Sequence, residues 1–253
     1  VESHEVKIVK AINLLSLLLL TGCAVSQKLS PPQDGKRVKV AVVKPADVDI
    51  LPMKVIYRSE RCRDKILTST GAISSRDGYH LLTVPFKPEA GSNVVSNAVA
   101  FDGGGQCGWK LSNIRFQFQF HDMTAFGQDI KKNIPNDIVF VFDEHAPPRG
   151  DGHYEVRSGA VIIQSEYYPV IMNERLIQHA KVLSIRGKRR LTYKLHDTDS
   201  IIFSPKVYSE KAVRVLGPEV FGGEAIITYP DGTKISSIKG QHPIDFEKLK
   251  LMK

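Results

Sequence analysis

The clearest periodic stretch of the chain is Ile114-Arg115-Phe116-Gln117-Phe118-Gln119-Phe120, which alternates strictly and places three Phe on one face and Arg and Gln on the other. Successive side chains of a strand point to opposite faces, so the stretch predicts a half-buried strand. Val38 to Val43 is a β-branched run, and Leu191 to Leu195 alternates again. Ile138 to Phe142 is apolar between two polar pairs, Asn136-Asp137 and Asp143-Glu144. Val161-Ile162-Ile163 and Val170-Ile171-Met172 read as two buried strands. Ala225 to Tyr229 and Thr233 to Ile238 flank Pro230-Asp231-Gly232, a hairpin signal, because Asp-Gly tolerates the positive φ of the turn. Helical signals are confined to Ala125 to Asn133 and a terminal Asp245 to Lys253. Pro147-Pro148 and Ser204-Pro205 read as loops. The pattern predicts a mainly β chain, an antiparallel β-sandwich-like domain with one or two short helices, two β subdomains being the alternative.

The N-terminus follows a different pattern. Val1 to Lys10 is polar, with Lys7 and Lys10 nearest the apolar run Ala11 to Leu20. A basic stretch, a short apolar stretch and a small-residue exit describe a secretory signal. The run is about half of the roughly 20 residues needed to cross a bilayer as a helix, so a transmembrane anchor is the weaker reading. Leu20-Thr21-Gly22-Cys23 resembles the lipobox of bacterial lipoproteins. That resemblance implies cleavage between Gly22 and Cys23 and acylation of Cys23. Each buried methylene contributes roughly 0.8 kcal/mol, so several acyl chains make a durable anchor. Ala24, in place of Asp, implies the outer membrane, facing the periplasm, and Val1 fits an alternative start codon. The expected organisation is a signal peptide over 1–22, a lipidated tether over 23–37 rich in Ser, Pro, Gln, Asp and Gly, and a β-rich periplasmic domain over 38–253.

Composition sharpens this picture in two ways. Beyond Cys23 only Cys62 and Cys107 remain, and in an oxidising compartment such a pair reads as a disulfide contributing roughly 3–4 kcal/mol. A redox or nucleophilic role is the alternative. The net charge is +8 with a pI near 9.3. An exported basic protein suits anionic headgroups or an acidic protein partner, with no nucleic acid expected. The densest basic run, Arg186-Gly187-Lys188-Arg189-Arg190, reads as a hairpin turn between two strands.

Candidate chemistry is thin. HExxH, GxSxG, the P-loop and the dinucleotide fingerprint are all missing from the sequence. Gly103-Gly104-Gly105 has no following Lys-Ser/Thr and reads as a tight loop before Cys107. His121-Asp122, Asp143-Glu144-His145 and His153 are metal-ligand types in no metal-site spacing. Asp197 and Asp199 near His196 come without a serine-nucleophile signature. The expectation is no catalytic residues, no metal, no cofactor and no enzymatic activity.

One segment goes further. Phe101-Asp102-Gly103-Gly104-Gly105-Gln106-Cys107-Gly108-Trp109-Lys110-Leu111-Ser112-Asn113-Ile114 resembles a signature of lipoproteins that serve as immunity proteins against type VI secretion phospholipase effectors. The resemblance covers about fourteen residues, besides the lipobox. It implies a membrane-tethered binder that neutralises a cognate phospholipase effector by occlusion. It does not name the contact residues. Exposed aromatics and arginines dominate interface energies, which makes Tyr167, Tyr168, Arg149 and Arg186 the candidates for partner binding. The alternatives are a structural or assembly lipoprotein of the envelope or a secretion system, and a periplasmic hydrolase or lipid-binding protein.

Overall fold

The computed structural model describes residues 27–145, 154–176, 180–187, 191–237 and 244–252. The strands are, in chain order, β1 (Arg37–Val43), β2 (Val48–Ile50), β3 (Met53–Leu67), β4 (Ile73–Val84), β5 (Lys87–Pro88) and β6 (Val94–Ala100). There follow β7 (Asp102–Gly104), β8 (Trp109–Phe120), β9 (Ile130–Ile134), β10 (Asn136–Val141), β11 (Glu155–Ser158) and β12 (Val161–Glu174). The last are β13 (Ala180–Gly187), β14 (Leu191–His196), β15 (Ser200–Val207), β16 (Val213–Leu216), β17 (Ala225–Thr228) and β18 (Lys234–Ser237), before a terminal helix α1 (Phe246–Leu251). With 60% of the chain in strands and 4% helical, the mainly β, sandwich-like expectation holds.

The strands form two sheets. One runs β18-β17-β16-β12-β15-β1-β6-β5, with β13 joined to β12 and β9. The other runs β11-β14-β10-β8-β3-β4, with β2 and β7 also on β8. Both are mixed rather than purely antiparallel. Six pairings are parallel, among them those of β12 with β15 and β16.

Aromatic rings close the space between the sheets. Phe118 on β8 meets Tyr167 on β12 edge-on at 4.9 Å between centroids, and Phe116 meets Phe203 on β15 at 5.8 Å. The predicted Phe face of β8 is the core face: Phe116, Phe118 and Phe120 are all buried. A second, smaller core lies on the other side of the first sheet. It gathers Tyr168, Val170, Val213 and Val215 under Leu249 of α1. Asp245 caps that helix, accepting from Lys248 N at 3.0 Å, and Lys211 Nζ donates to Leu249 O at 3.2 Å near its C-terminal end.

Four local expectations change. Ser204-Pro205 is not a loop but lies inside β15, opposite Gln164-Ser165 of β12. Val161–Ile163 and Val170–Met172 belong to one strand, β12. Pro169 lies inside it, where β12 leaves β15 after Tyr167 and takes up β16 at Val170. The amide that proline lacks therefore falls in the gap between two ladders. Ala125–Asn133 is not a helix but a 3-10 turn, Thr124–Phe126, followed by β9. Gly127 at φ +147° breaks any helical continuation. Arg186–Arg190 is not a hairpin turn, because β13 and β14 lie in different sheets; residues 188–190 fall outside the described residues. The Asp231-Gly232 hairpin stands, with Gly232 at φ +82° and Ile227 opposite Ile235.

Candidate functional site

The glycine run, the disulfide and the start of the described chain meet in one place. Trp109 Nε1 donates to Gln27 O at 3.0 Å, and Ser30 N donates to Gly103 O at 2.8 Å. Ser30 also bridges Gly104 in parallel. The glycines leave room for this docking. A Cβ on Gly104 would stand 2.1 Å from Ser30 O, and one on Gly105 would stand 2.5 Å from Lys28 O. Both also adopt positive φ, +58° and +69°. The segment read as a tether over 23–37 is therefore packed onto the domain from Gln27 onward, with Leu29 against the main core. Gly22 and Cys23 lie outside the described residues.

Cys62 and Cys107 form the expected disulfide, with Cα atoms 5.3 Å apart. Ser59 Oγ organises its β3 side, donating to Cys107 O at 2.6 Å and accepting from Arg61 N and Cys62 N. The ladder between β3 and β4 is interrupted here. Ser59 pairs with Gly78 and Asp64 with Arg76, so Glu60 to Arg63 bulge opposite Asp77 alone. Gly78 has no space for a side chain: a Cβ would stand 1.9 Å from Cys62 O. Trp109 packs beside it and against His80, 5.5 Å away.

Beyond the bulge, β3 and β4 continue as a two-stranded arm, Asp64–Leu67 paired with Ile73–Arg76. Its turn closes through Thr68 N to Ala72 O at 2.8 Å and Ala72 N to Thr68 Oγ1 at 3.1 Å. The tip exposes two large apolar residues, Leu67 at 73% and Ile73 at 76%. Arg63 pairs with Asp77 at 2.8 Å and Arg76 with Asp64 at 3.8 Å. His145 lies between Asp77, at 3.3 Å, and Asp143, at 2.9 Å, and links the arm's root to the end of β10. Strand β4 ends its sheet, with no neighbour on its outer side among the described residues. The arm was not predicted. Its signal was the turn-forming Thr68-Ser69-Thr70-Gly71, while the alternation of Met53, Val55 and Tyr57 marks the inner half of the same strand.

Of the candidate partner-binding residues, the two tyrosines are buried rather than exposed. Tyr167 and Tyr168 are not loop aromatics; they sit within β12 at 3% and 1% exposure. Neighbouring strand residues face opposite ways, and each face of β12 here meets a core, so Tyr167 enters the main core and Tyr168 the smaller one. Burial pushes both phenols up to about 12. Both residues line an open depression of about 620 Å³ with Glu166, Lys206 and Phe246. Tyr168 Oη has no hydrogen-bond partner among the described residues. Arg186 is exposed on β13, with Nε donating to Ser184 Oγ at 3.2 Å. Arg149 and His153 lie outside the described residues.

Of the metal-ligand types, His121 and Asp122 line a separate depression with Asp47 and Glu210. Asp122 is engaged by Thr124, whose hydroxyl and amide hold its carboxyl below the usual range. No group of three His, Cys, Asp or Glu suited to a metal ion occurs among the described residues. No described helix is long and apolar enough to cross a membrane. The fold and this region define a sandwich-like β domain with a disulfide-rooted hairpin arm. No family model, curated protein or solved structure matches the chain.

Proposed function

We propose that this chain is an outer-membrane-anchored periplasmic lipoprotein, held through Cys23, that binds and neutralises a cognate type VI secretion phospholipase effector by occlusion. The observation that carries the reading is a coincidence of place. The Phe101–Ile114 segment that resembles the immunity signature is also where the N-terminal segment docks, the disulfide closes and the arm is rooted. The arm's tip exposes Leu67 and Ile73 to solvent, and an occluding binder needs a projecting apolar element of that kind. Removing exposed apolar surface from water favours association, and Leu67 and Ile73 are exposed apolar side chains that a partner would cover.

The open edge of β4 also suits the second reading, an envelope-assembly lipoprotein that adds a partner's strand to its sheet. Rescue separates the two. A lipase encoded beside this chain is directed to the periplasm with and without it, and lysis and complex formation are measured. Protection with a stable complex is expected, and Leu67→Asp with Ile73→Asp should abolish both while the protein stays folded. No protection and no complex with any co-encoded effector overturns the immunity reading.

A further inference from the structure

The position at which the N-terminal segment docks has a geometric consequence for the anchored protein. Gln27 is fixed to Trp109, and Trp109 stands against Gly78 at the root of the arm. Only four residue steps separate Cys23 from Gln27. At no more than about 3.6 Å each, they reach about 14 Å. An acylated Cys23 must lie at the bilayer surface, so the domain cannot stand off from it on a long leash.

From this we infer that the face formed by the glycine loop and the arm's root is a membrane-apposed surface for anionic phospholipid headgroups, held there by the short tether. The inference rests on the proposed acylation of Cys23. The chemistry around the exit fits an anionic lipid surface. Lys28 is exposed beside Gly105, and Arg61 lies over Gly108, where a Cβ would stand 3.4 Å from its guanidinium. Lys36 covers the Phe101 ring at 5.5 Å. Of the nearby carboxylates, Asp102 is held by Lys110 at 2.9 Å and, at the arm's root, Asp77 by Arg63, Asp64 by Arg76 and Asp143 by His145, while Asp34 and Glu60 oppose the basic groups. Basic side chains close to an anionic leaflet are attracted within about a Debye length, a distance comparable to the reach of this tether. Such an orientation also places the arm at the level of the lipid, where an enzyme acting on phospholipid has to work.

The test uses the mature acylated protein reconstituted outward-facing in vesicles of phosphatidylethanolamine and phosphatidylglycerol. A water-soluble amine reagent reads the exposure of individual lysines by mass spectrometry, against the same protein in detergent. Lys28 and Lys110 should become several-fold less reactive in vesicles. Lys234 serves as control: it is exposed on β18, five strands from β1, or about 24 Å at the usual strand spacing. Its reactivity should not change. A long Gly-Ser spacer inserted between Ser26 and Gln27 should restore the reactivity of Lys28 and Lys110 while the protein stays on the vesicles.

Acylated protein with unchanged Lys28 and Lys110 overturns the orientation and leaves the anchor standing. Protection that survives the spacer overturns the short tether as its cause. A mature chain with no acyl mass on Cys23 overturns the anchor itself, and the orientation with it.

Discussion

Strands β3 and β4 pass through two environments, and their inner and outer halves make a controlled comparison. In the inner half, Met53, Val55 and Tyr57 alternate into the core and are buried, and Leu82 and Val84 of β4 pack against the same core. In the outer half the ladder is equally regular, from Asp64–Arg76 to Leu67–Ile73, yet Leu67 and Ile73 face solvent. The hydrogen bonds are alike; what differs is the second sheet, which backs only the inner half. Two strands alone are marginally stable in water. The arm therefore depends on being rooted, and the root is where the disulfide, Gly78 and the Ser59 hydrogen bonds are concentrated. An apolar residue on a strand is evidence of a core only when another layer lies behind it.

The sharpest way to separate the halves is to empty the core. Phe118 is fully buried and touches Tyr167 and Phe203 across the sheets. Phe118→Ala should cost about 3–5 kcal/mol in chemical denaturation. A cost below about 1 kcal/mol would mean that the two sheets do not share a close-packed core. The root comes next. Replacing Cys62 and Cys107 together by Ser opens a loop with a sequence separation of 45 residues. In the chain-entropy treatment that loses about 4 kcal/mol. Hydrogen exchange should then accelerate in residues 64–76 more than in residues 53–59. Uniform acceleration would show that the disulfide serves the whole domain and not the arm.

Much of the body was legible in the sequence and little of the arm was. The Phe116, Phe118, Phe120 alternation named its own core face, and the Asp231-Gly232 turn named its hairpin. The disulfide followed from two cysteines and an expected oxidising compartment. Val161–Ile163 and Val170–Met172 read as two strands because nothing local shows that β12 continues while changing neighbours at Pro169. Tyr167 and Tyr168 misled because a strand buried on both faces carries no alternation, and adjacent aromatics then resemble an exposed patch. Parallel pairing leaves no local mark, since its partners are distant in sequence. The arm was missed because it carries no alternation: Asp64-Lys65-Ile66-Leu67 faces Ile73-Ser74-Ser75-Arg76, with two polar residues before two apolar ones on its first strand. The docking of Gln27–Ser30 was equally hidden, because a Ser-, Pro- and Gln-rich segment reads as solvated until the glycines that receive it are placed.

The inner half also carries a buried phenol, a group that Asp64–Leu67 and Ile73–Arg76 of the arm do not contain. Tyr57 is 3% exposed and donates to Ala100 O at 2.6 Å. Burial pushes its phenol up from 10.0 to about 12. A folded pKa above the unfolded one means the folded protein holds this proton more tightly. Its contribution is therefore complete below pH 10 and is lost as the pH rises toward about 12. Two units correspond to on the order of 2–3 kcal/mol. Denaturation followed between pH 9 and 12 should show stability falling across that window, and Tyr57→Phe should flatten part of the fall. An identical slope in Tyr57→Phe would assign the loss to other buried phenols, such as Tyr167.

The smallest expected effect tests the other half of the comparison most directly. Exposed substitutions away from caps, turns and buried groups usually change stability by no more than about 0.5 kcal/mol. Leu67→Ser and Ile73→Ser, made at residues 73% and 76% exposed, should fall within that range. They also occupy paired positions, so each single variant already loses their mutual contact, and the double variant should cost less than the sum of the two. A loss above about 1 kcal/mol would mean that the tip packs against something within the chain, and the apolar pair would then be structural. An unchanged stability combined with lost effector binding would mean the reverse. The same two side chains would be idle in the free protein and decisive in the complex, as expected of an arm rooted by the body and kept for a partner.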